Sequence, residues 1–179
     1  MRFPPTSPGS TPRRARPDAL AAWAGIVLVA SALAADAAGP KLLPAEQAFR
    51  LSARALDAKM LEVRFNVEDG YYLYRDKLRF AVEPASVGVG APALPPGKPH
   101  EDEFFGKVTT YRGLVVVKVP LAAATPGQEV TLVVDSQGCA DAGVCYPPQL
   151  QRVTLALPAA GAGPTPATEA TPPRKPFFN

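Results

Sequence analysis

Cys139 and Cys145 are the only two cysteines of this 179-residue chain. They stand in Gly138-Cys139-Ala140-Asp141-Ala142-Gly143-Val144-Cys145-Tyr146-Pro147-Pro148. Five residues lie between them, so the pair is not the C-x-x-C of a thioredoxin helix. The loop is short and bounded by strand candidates, and its glycines can carry the backbone through a tight reversal. A disulfide is sterically reasonable there, subject to the Cα separation such a bond demands. Two chemistries fit. The bridge can be a staple, worth about 2.4 kcal/mol on a chain-entropy account, or an exchanging pair opened by thiolate attack. Spacing alone favours the staple, because most cysteine pairs of exported domains are structural.

A second segment with chemical content is Pro99-His100-Glu101-Asp102-Glu103-Phe104-Phe105-Gly106-Lys107, three consecutive acids before two aromatics and a glycine. It reads as a loop. It is either a solvated acidic turn whose phenylalanines pack back onto the core, or a flap whose ring covers a reactive group. His100 is the single histidine. That excludes a metal site needing two imidazoles, and two cysteines exclude zinc ribbons and multi-disulfide scaffolds. His100 is expected at the surface or in a hydrogen bond. Tyr71-Tyr72-Leu73-Tyr74 reads as strand packing, with alternate tyrosines facing opposite sides. There is no Ser-His-Asp order worth pursuing, no phosphate loop and no dinucleotide fingerprint.

The elements that must position these residues are strands. The chain has 22 prolines, too many for a bundle of long helices. Period-2 alternation runs through 61–67, where Leu61, Val63, Phe65 and Val67 alternate with polar residues before the Asp69-Gly70 turn. Further strands are expected over 71–74, 78–82, 114–119, 130–134 and 153–157. Several short strands separated by turns, in a folded unit of about 118 residues from Lys41 to Pro158, point to an all-β, immunoglobulin-like antiparallel sandwich. Residues 159–179, rich in proline and alanine, are expected to form a disordered tail or linker.

Residues 1–34 read as a secretory signal peptide: a basic start at Arg13-Arg14-Ala15-Arg16, an uncharged run from Ala19 to Ala35 and an A-x-A end at Ala32-Leu33-Ala34. A retained membrane anchor is the alternative, with the apolar run at the short limit for spanning. Residues 35–40 are a short N-terminal segment. The net charge of +3 resides in this leader, since the remainder holds 15 basic and 15 acidic residues. Nucleic acid is therefore not expected as a partner. The mature protein is expected in an oxidising compartment, where a disulfide persists.

Four stretches together resemble one family, the N-terminal periplasmic domains of the thiol:disulfide interchange protein DsbD. They are residues 43–49 (Leu-Pro-Ala-Glu-Gln-Ala-Phe), 69–75 (Asp-Gly-Tyr-Tyr-Leu-Tyr-Arg), 100–107 and 138–148, in family order. The resemblance implies an immunoglobulin-like fold whose cysteine pair is redox-active. It implies Cys139 and Cys145 as that pair, Asp102, Glu103, Phe104, Phe105 and Gly106 as a cap loop with Phe104 over the sulfurs, and Tyr72 and Tyr74 lining the site. Asp102 and Glu103 become the nearby acids, which should disfavour a thiolate.

The same resemblance implies a disulfide reductase component with no cofactor beyond its cysteines, and a monomer. Its partners are a membrane electron-transfer protein, acting through a thioredoxin-like domain, and periplasmic oxidoreductases such as disulfide isomerases and cytochrome c maturation proteins. Cys145 is the preferred site of the mixed disulfide, because Tyr146-Pro147-Pro148 beside it offers a docking edge. The family protein continues into membrane helices and a C-x-x-C domain. This chain is expected to depend on a separate membrane reductant, to be a split or truncated form, or to be a vestigial fragment that has lost its reductant. The rival reading is a non-catalytic immunoglobulin-like binding module with a structural disulfide.

Overall fold

The computed structural model describes residues 41–171. The expected leader (1–34), the segment 35–40 and the end of the tail (172–179) lie outside the described residues.

The hairpin of β1 (Phe49–Asp57) and β2 (Met60–Val67) is in register from Phe49↔Val67 to Asp57↔Met60, with an irregularity between Ala55 and Asp57. Period 2 turns Phe49, Leu51, Ala53, Ala55, Leu61, Val63, Phe65 and Val67 inward, and all are buried. The long strand β7 (Gly113–Pro120) pairs with β2 and buries Val115, Val117 and Val119. Facing this sheet is a second one, in the order β11-β8-β4, made of β4 (Arg79–Glu83), β8 (Glu129–Ser136) and β11 (Gln149–Ala156). It contributes Val82, Val130, Leu132, Val134, Val153 and Leu155 to one continuous core with the first. Every ladder is antiparallel, so the expected sandwich is the observed one.

A third sheet carries the chemistry. Its order is β10-β9-β3-β6-β5, from β3 (Tyr71–Tyr74), β5 (Lys98–Asp102), β6 (Gly106–Tyr111), β9 (Gly138–Ala140) and β10 (Val144–Cys145). β6 continues through Arg112 into β7, which joins this sheet to the first. A single helical turn, α1 (Ala45–Ala48), follows Pro44 and leads into β1.

Three expectations change. The segment 99–107, expected as a loop, is mostly a hairpin, in which only 103–105 turn between β5 and β6. Pro99 and the acids concealed this, yet an edge strand tolerates both: its outer amides need no ladder partner, and charge there discourages further pairing. Strand β1 is absent from the sequence expectation, since its inward positions include two alanines, Ala53 and Ala55, which weaken the alternation. The first part of the expected disordered tail is ordered, with β12 (Thr168–Glu169) on the open edge of β1. There the Thr165 amide donates to the Ala55 carbonyl (2.9 Å), the Ala170 amide to Leu51 (2.9 Å) and the Thr171 amide to Arg152 (3.0 Å). Composition argues about apolar burial, whereas this segment is held by backbone hydrogen bonds that need none.

Candidate redox site

The cysteines face each other across a hairpin. β9 and β10 pair with Cys139 opposite Cys145, their Cα atoms 4.0 Å apart and their sulfurs joined in a disulfide. Residues 141–143 form the turn, with the Gly143 amide donating to the Ala140 carbonyl at 3.0 Å. Gly143 takes φ +79°, a left-handed value that closes three-residue hairpin loops and that other side chains resist.

Gly138 serves differently. A Cβ there would collide with the Tyr72 carbonyl oxygen and lie 2.7 Å from the ring of Phe49, both part of the packed wall behind Cys139. Gly138→Ala is therefore expected to destabilise the fold by about 2–3 kcal/mol, the scale of overpacking a rigid core. Urea unfolding checks this, and a change below half a kcal/mol would mean that β9 moves freely.

Strand β3 divides its residues by parity. Tyr71 and Leu73 join the main core, whereas Tyr72, Tyr74 and Cys139 form a separate buried cluster with Val108 and Cys145 packed against it. The tyrosines at alternate positions thus share the face that meets the cysteines, as period 2 requires. Tyr74 Oη lies 2.9 Å from Cys139 Sγ and 3.7 Å from Cys145 Sγ. Cys139 is completely buried, while Cys145 is part-exposed.

Asp102, at the end of β5, joins this cluster to the hairpin tip. Its Oδ2 accepts from the hydroxyls of Tyr74 (2.6 Å) and Tyr72 (2.7 Å). Its Oδ1 accepts from the backbone amides of Phe104 (2.8 Å) and Phe105 (3.0 Å). Burial opposes its ionisation, but hydrogen bonds from Tyr74, Tyr72 and the two amides outweigh that and lower its pKa to about 2. Burial and the Asp102 charge push the hydroxyls of Tyr72 and Tyr74 above the usual phenol range, so both stay protonated at neutral pH.

A carboxyl group whose folded pKa lies below its ordinary 3.8 contributes stability that is complete above that value. The contribution is lost as pH falls through the folded pKa. The stability gap between the wild type and Asp102→Asn, read by urea unfolding, is thus expected to be constant from pH 7 to about 4. It should close as pH falls towards 2, and a gap unchanged at pH 2 would contradict this electrostatic account.

The other expected site residues are distributed around the tip. Phe105 packs edge-on against Tyr74 with centroids 5.1 Å apart, and Lys77 Nζ lies 4.4 Å from its ring centre. Phe104 is 59% exposed and lines a shallow cleft with Glu103, Asp141 and Gly143. Glu103 is exposed, and Gly106 begins β6 with φ +67°. His100 packs against Tyr72 with ring centroids 4.8 Å apart and planes tilted by 59°. Sequence reasoning missed the Tyr71–Phe49–Tyr146 cluster behind the pair. In it the Tyr146 hydroxyl donates to the Leu43 carbonyl (2.6 Å), and the Leu43 amide donates to the Tyr71 hydroxyl (2.8 Å). Tyrosines next to Cys145 and Tyr72 were the available signal. Among the described residues no cluster of three metal-ligating side chains occurs, and no helix is long and apolar enough to cross a membrane.

This chain is similar to known proteins over most of its described residues. The family model described as "Thiol:disulfide interchange protein DsbD, N-terminal" matches residues 39–157. The DsbD protein of Ralstonia nicotianae is 47% identical over 144 residues, which cover 78% of this chain and 23% of that protein. DsbD 1 of Pseudomonas aeruginosa is 43% identical over 134 residues, covering 70% of this chain and 22% of that protein. The chain therefore spans less than a quarter of the length of these relatives. The crystal structure of the reduced Neisseria meningitidis DsbD N-terminal domain superposes with a TM-score of 0.63 at 35% identity, covering 73% of this chain and 96% of that one. A structure of the complex between the DsbD and PilB N-terminal domains from the same organism matches with a TM-score of 0.56 at 36% identity, covering 75% and 95%.

Proposed function

Because the chain belongs to the family of DsbD N-terminal domains, with their immunoglobulin-like fold and thiol:disulfide interchange chemistry, we propose that Cys139 and Cys145 are an exchanging pair that relays electrons between periplasmic thiol proteins. The relay runs from a membrane electron-transfer protein, through a thioredoxin-like domain, to oxidoreductases such as disulfide isomerases and cytochrome c maturation proteins. The complex between the N. meningitidis DsbD and PilB N-terminal domains supports a protein partner for a domain of this kind. The apolar groups surrounding the pair, Phe104, Phe105 and Val144, are exposed as a docking surface for such a partner requires.

The step begins at the part-exposed cysteine. A donor thiolate attacks Cys145 Sγ, the new intermolecular S–S bond forms as the Cys139–Cys145 bond breaks, and Cys139 leaves as a thiolate that takes up a proton. The donor's second thiol then attacks its own sulfur in the mixed disulfide and releases Cys145. The donor ends as a disulfide and this domain as a dithiol, with two electrons and two protons transferred. An oxidised acceptor reverses the sequence.

One observation carries the reading, namely the Tyr74–Asp102 chain against Cys139. The single phenolic proton of Tyr74 goes to the Asp102 carboxylate, so its oxygen presents a lone pair to Cys139 Sγ. A thiol donates into that lone pair, whereas a thiolate meets it with a carboxylate behind. The network holds the reduced cysteine as a thiol and discourages chance oxidation until a partner rearranges the tip. We assign Phe104 and Phe105 the role of that cap. A staple has no use for such a network.

The test is incubation of the oxidised domain with a reduced thioredoxin-like domain, followed by alkylation and mass spectrometry. Stoichiometric appearance of two alkylated thiols is expected. A bridge left intact after the donor has equilibrated with glutathione would sink the proposal in favour of a structural disulfide.

A further inference from the structure

Arg112 lies between β6 and β7 and outside the set of residues that touch sulfur, yet it grips both halves of the site. Its Nη2 donates to Asp141 Oδ1 at 2.6 Å and its Nη1 to Asp141 Oδ2 at 2.9 Å, a bidentate pair with the turn that connects the two cysteines. Nη1 also donates to the Tyr71 carbonyl at 3.2 Å, and the guanidinium carbon sits 5.0 Å from the centre of the Tyr72 ring. Tyr72 in turn donates to Asp102. One planar group therefore ties the cysteine turn to the strand that presents Tyr72 and Tyr74.

We propose that Arg112 is a positioning residue for exchange: by clamping Asp141 to β3 it holds the cysteine turn in place after the bridge opens, keeping the two thiols within reach of each other and so stabilising the disulfide form. This rests on the reading that the pair exchanges. While the disulfide is closed, the covalent bond fixes the turn. When it opens, the turn is held by two-residue strand β10, by the Asp141 amide on the Gly70 carbonyl (2.7 Å), by the Tyr146 anchor after Cys145 and by the clamp on the Asp141 side chain, of which the clamp alone ties that side chain to β3. Loss of the clamp gives the dithiol more freedom and lowers the effective concentration of one thiol at the other, so the equilibrium shifts towards the reduced form. Global stability changes little, since both members of the ion pair are half exposed.

The experiment is redox equilibration against glutathione of the wild type, Arg112→Gln, Asp141→Asn and the double variant, with thermal unfolding of each. Each single variant is expected to shift the equilibrium constant three- to tenfold towards the dithiol, the tenfold limit being about 30 mV for a two-electron couple. The double variant should shift no further than the larger single, because both remove one interaction. Arg112→Lys, which keeps the charge but not the fork, should fall between.

Arg152→Gln is the control. It breaks the Arg152–Glu83 pair, also 2.6 Å and half exposed, on a sheet that carries neither cysteine, and should shift nothing. An unshifted equilibrium in both single variants, an additive double variant or an equal shift in Arg152→Gln would overturn the proposal. Should Arg112→Gln not fold, near-isosteric Asp141→Asn carries the test. A wild-type pair that never equilibrates with glutathione would overturn the exchange reading itself, an outcome distinct from an exchanging pair whose potential ignores Arg112.

Discussion

Cys145→Ser is expected to abolish electron transfer while leaving the sandwich folded, and Cys139→Ser to abolish it in a different way. Cys145 is the part-exposed cysteine and Cys139 the buried one, so Cys145→Ser loses the accessible thiol and no adduct with a disulfide-bearing partner should form. In Cys139→Ser the exposed thiol remains, but the group that would resolve the mixed disulfide is gone. That variant should accumulate one stable adduct with glutathione or with a disulfide-bearing partner, visible as a single mass increment. Neither change reaches the main core, where burial of β1, β2, β7, β8 and β11 side chains supplies the stability. The cost of losing a bridge that spans so short a loop is about 2.4 kcal/mol, a fall in Tm of roughly 10 °C for a domain of this size. Turnover by both single variants would show that the cysteines are not the electron carriers.

Asp102→Ala is expected to have the largest effect outside the cysteines. Four donors lose their acceptor at once: two buried phenols and the two amides that shape the tip. With hydrogen bonds to a charged group at about 1.5–3 kcal/mol each, partly replaced by water at the tip, the net loss is expected at about 3–5 kcal/mol. The functional result should be as marked as the stability loss. If the Phe104-Phe105 turn is the cap proposed above, loss of its anchor releases it, and alkylation of the reduced pair by iodoacetamide should accelerate at least tenfold. Glu103→Ala, one residue on and exposed, should change stability by less than about half a kcal/mol. Equal alkylation rates in Asp102→Ala and wild type would separate the tip from the control of access and assign Asp102 to the fold alone.

Much of this site is local in the sequence. The cysteine hairpin announces itself through Gly143, and the shared face of Tyr72 and Tyr74 follows from strand periodicity. The strands over 61–67 and 114–119 follow from β-branched alternation that nothing else in the chain contradicts. What lay beyond reach depends on register between distant segments. Asp102 meets Tyr74 only because β6 pairs with β3 at Tyr74↔Thr110 and folds back on β5. Arg112 meets Asp141 only because β9 sits on the far side of β3. No periodicity encodes such contacts: family resemblance puts Asp102 near the cysteines, but its bonds to Tyr72 and Tyr74, like the grip of Arg112, exist only in the folded chain. Strand β12 was illegible for another reason: its sequence is that of a tail, and its order comes from an open strand edge at Ala53 and Ser52, more than a hundred residues earlier.

On the proposed function, the Cys139–Cys145 bridge is a working redox pair mounted on a fold that does not need it. A redox titration of the domain against glutathione or a dithiol buffer, with alkylated thiols counted by mass spectrometry and the fold followed by circular dichroism in the same samples, tests both halves at once. The account predicts a reversible two-electron transition at a potential above roughly −300 mV with an unchanged β-sheet spectrum throughout. A bridge that resists reduction to well below that potential, or a domain that unfolds as its thiols appear, would make the disulfide a staple and contradict it.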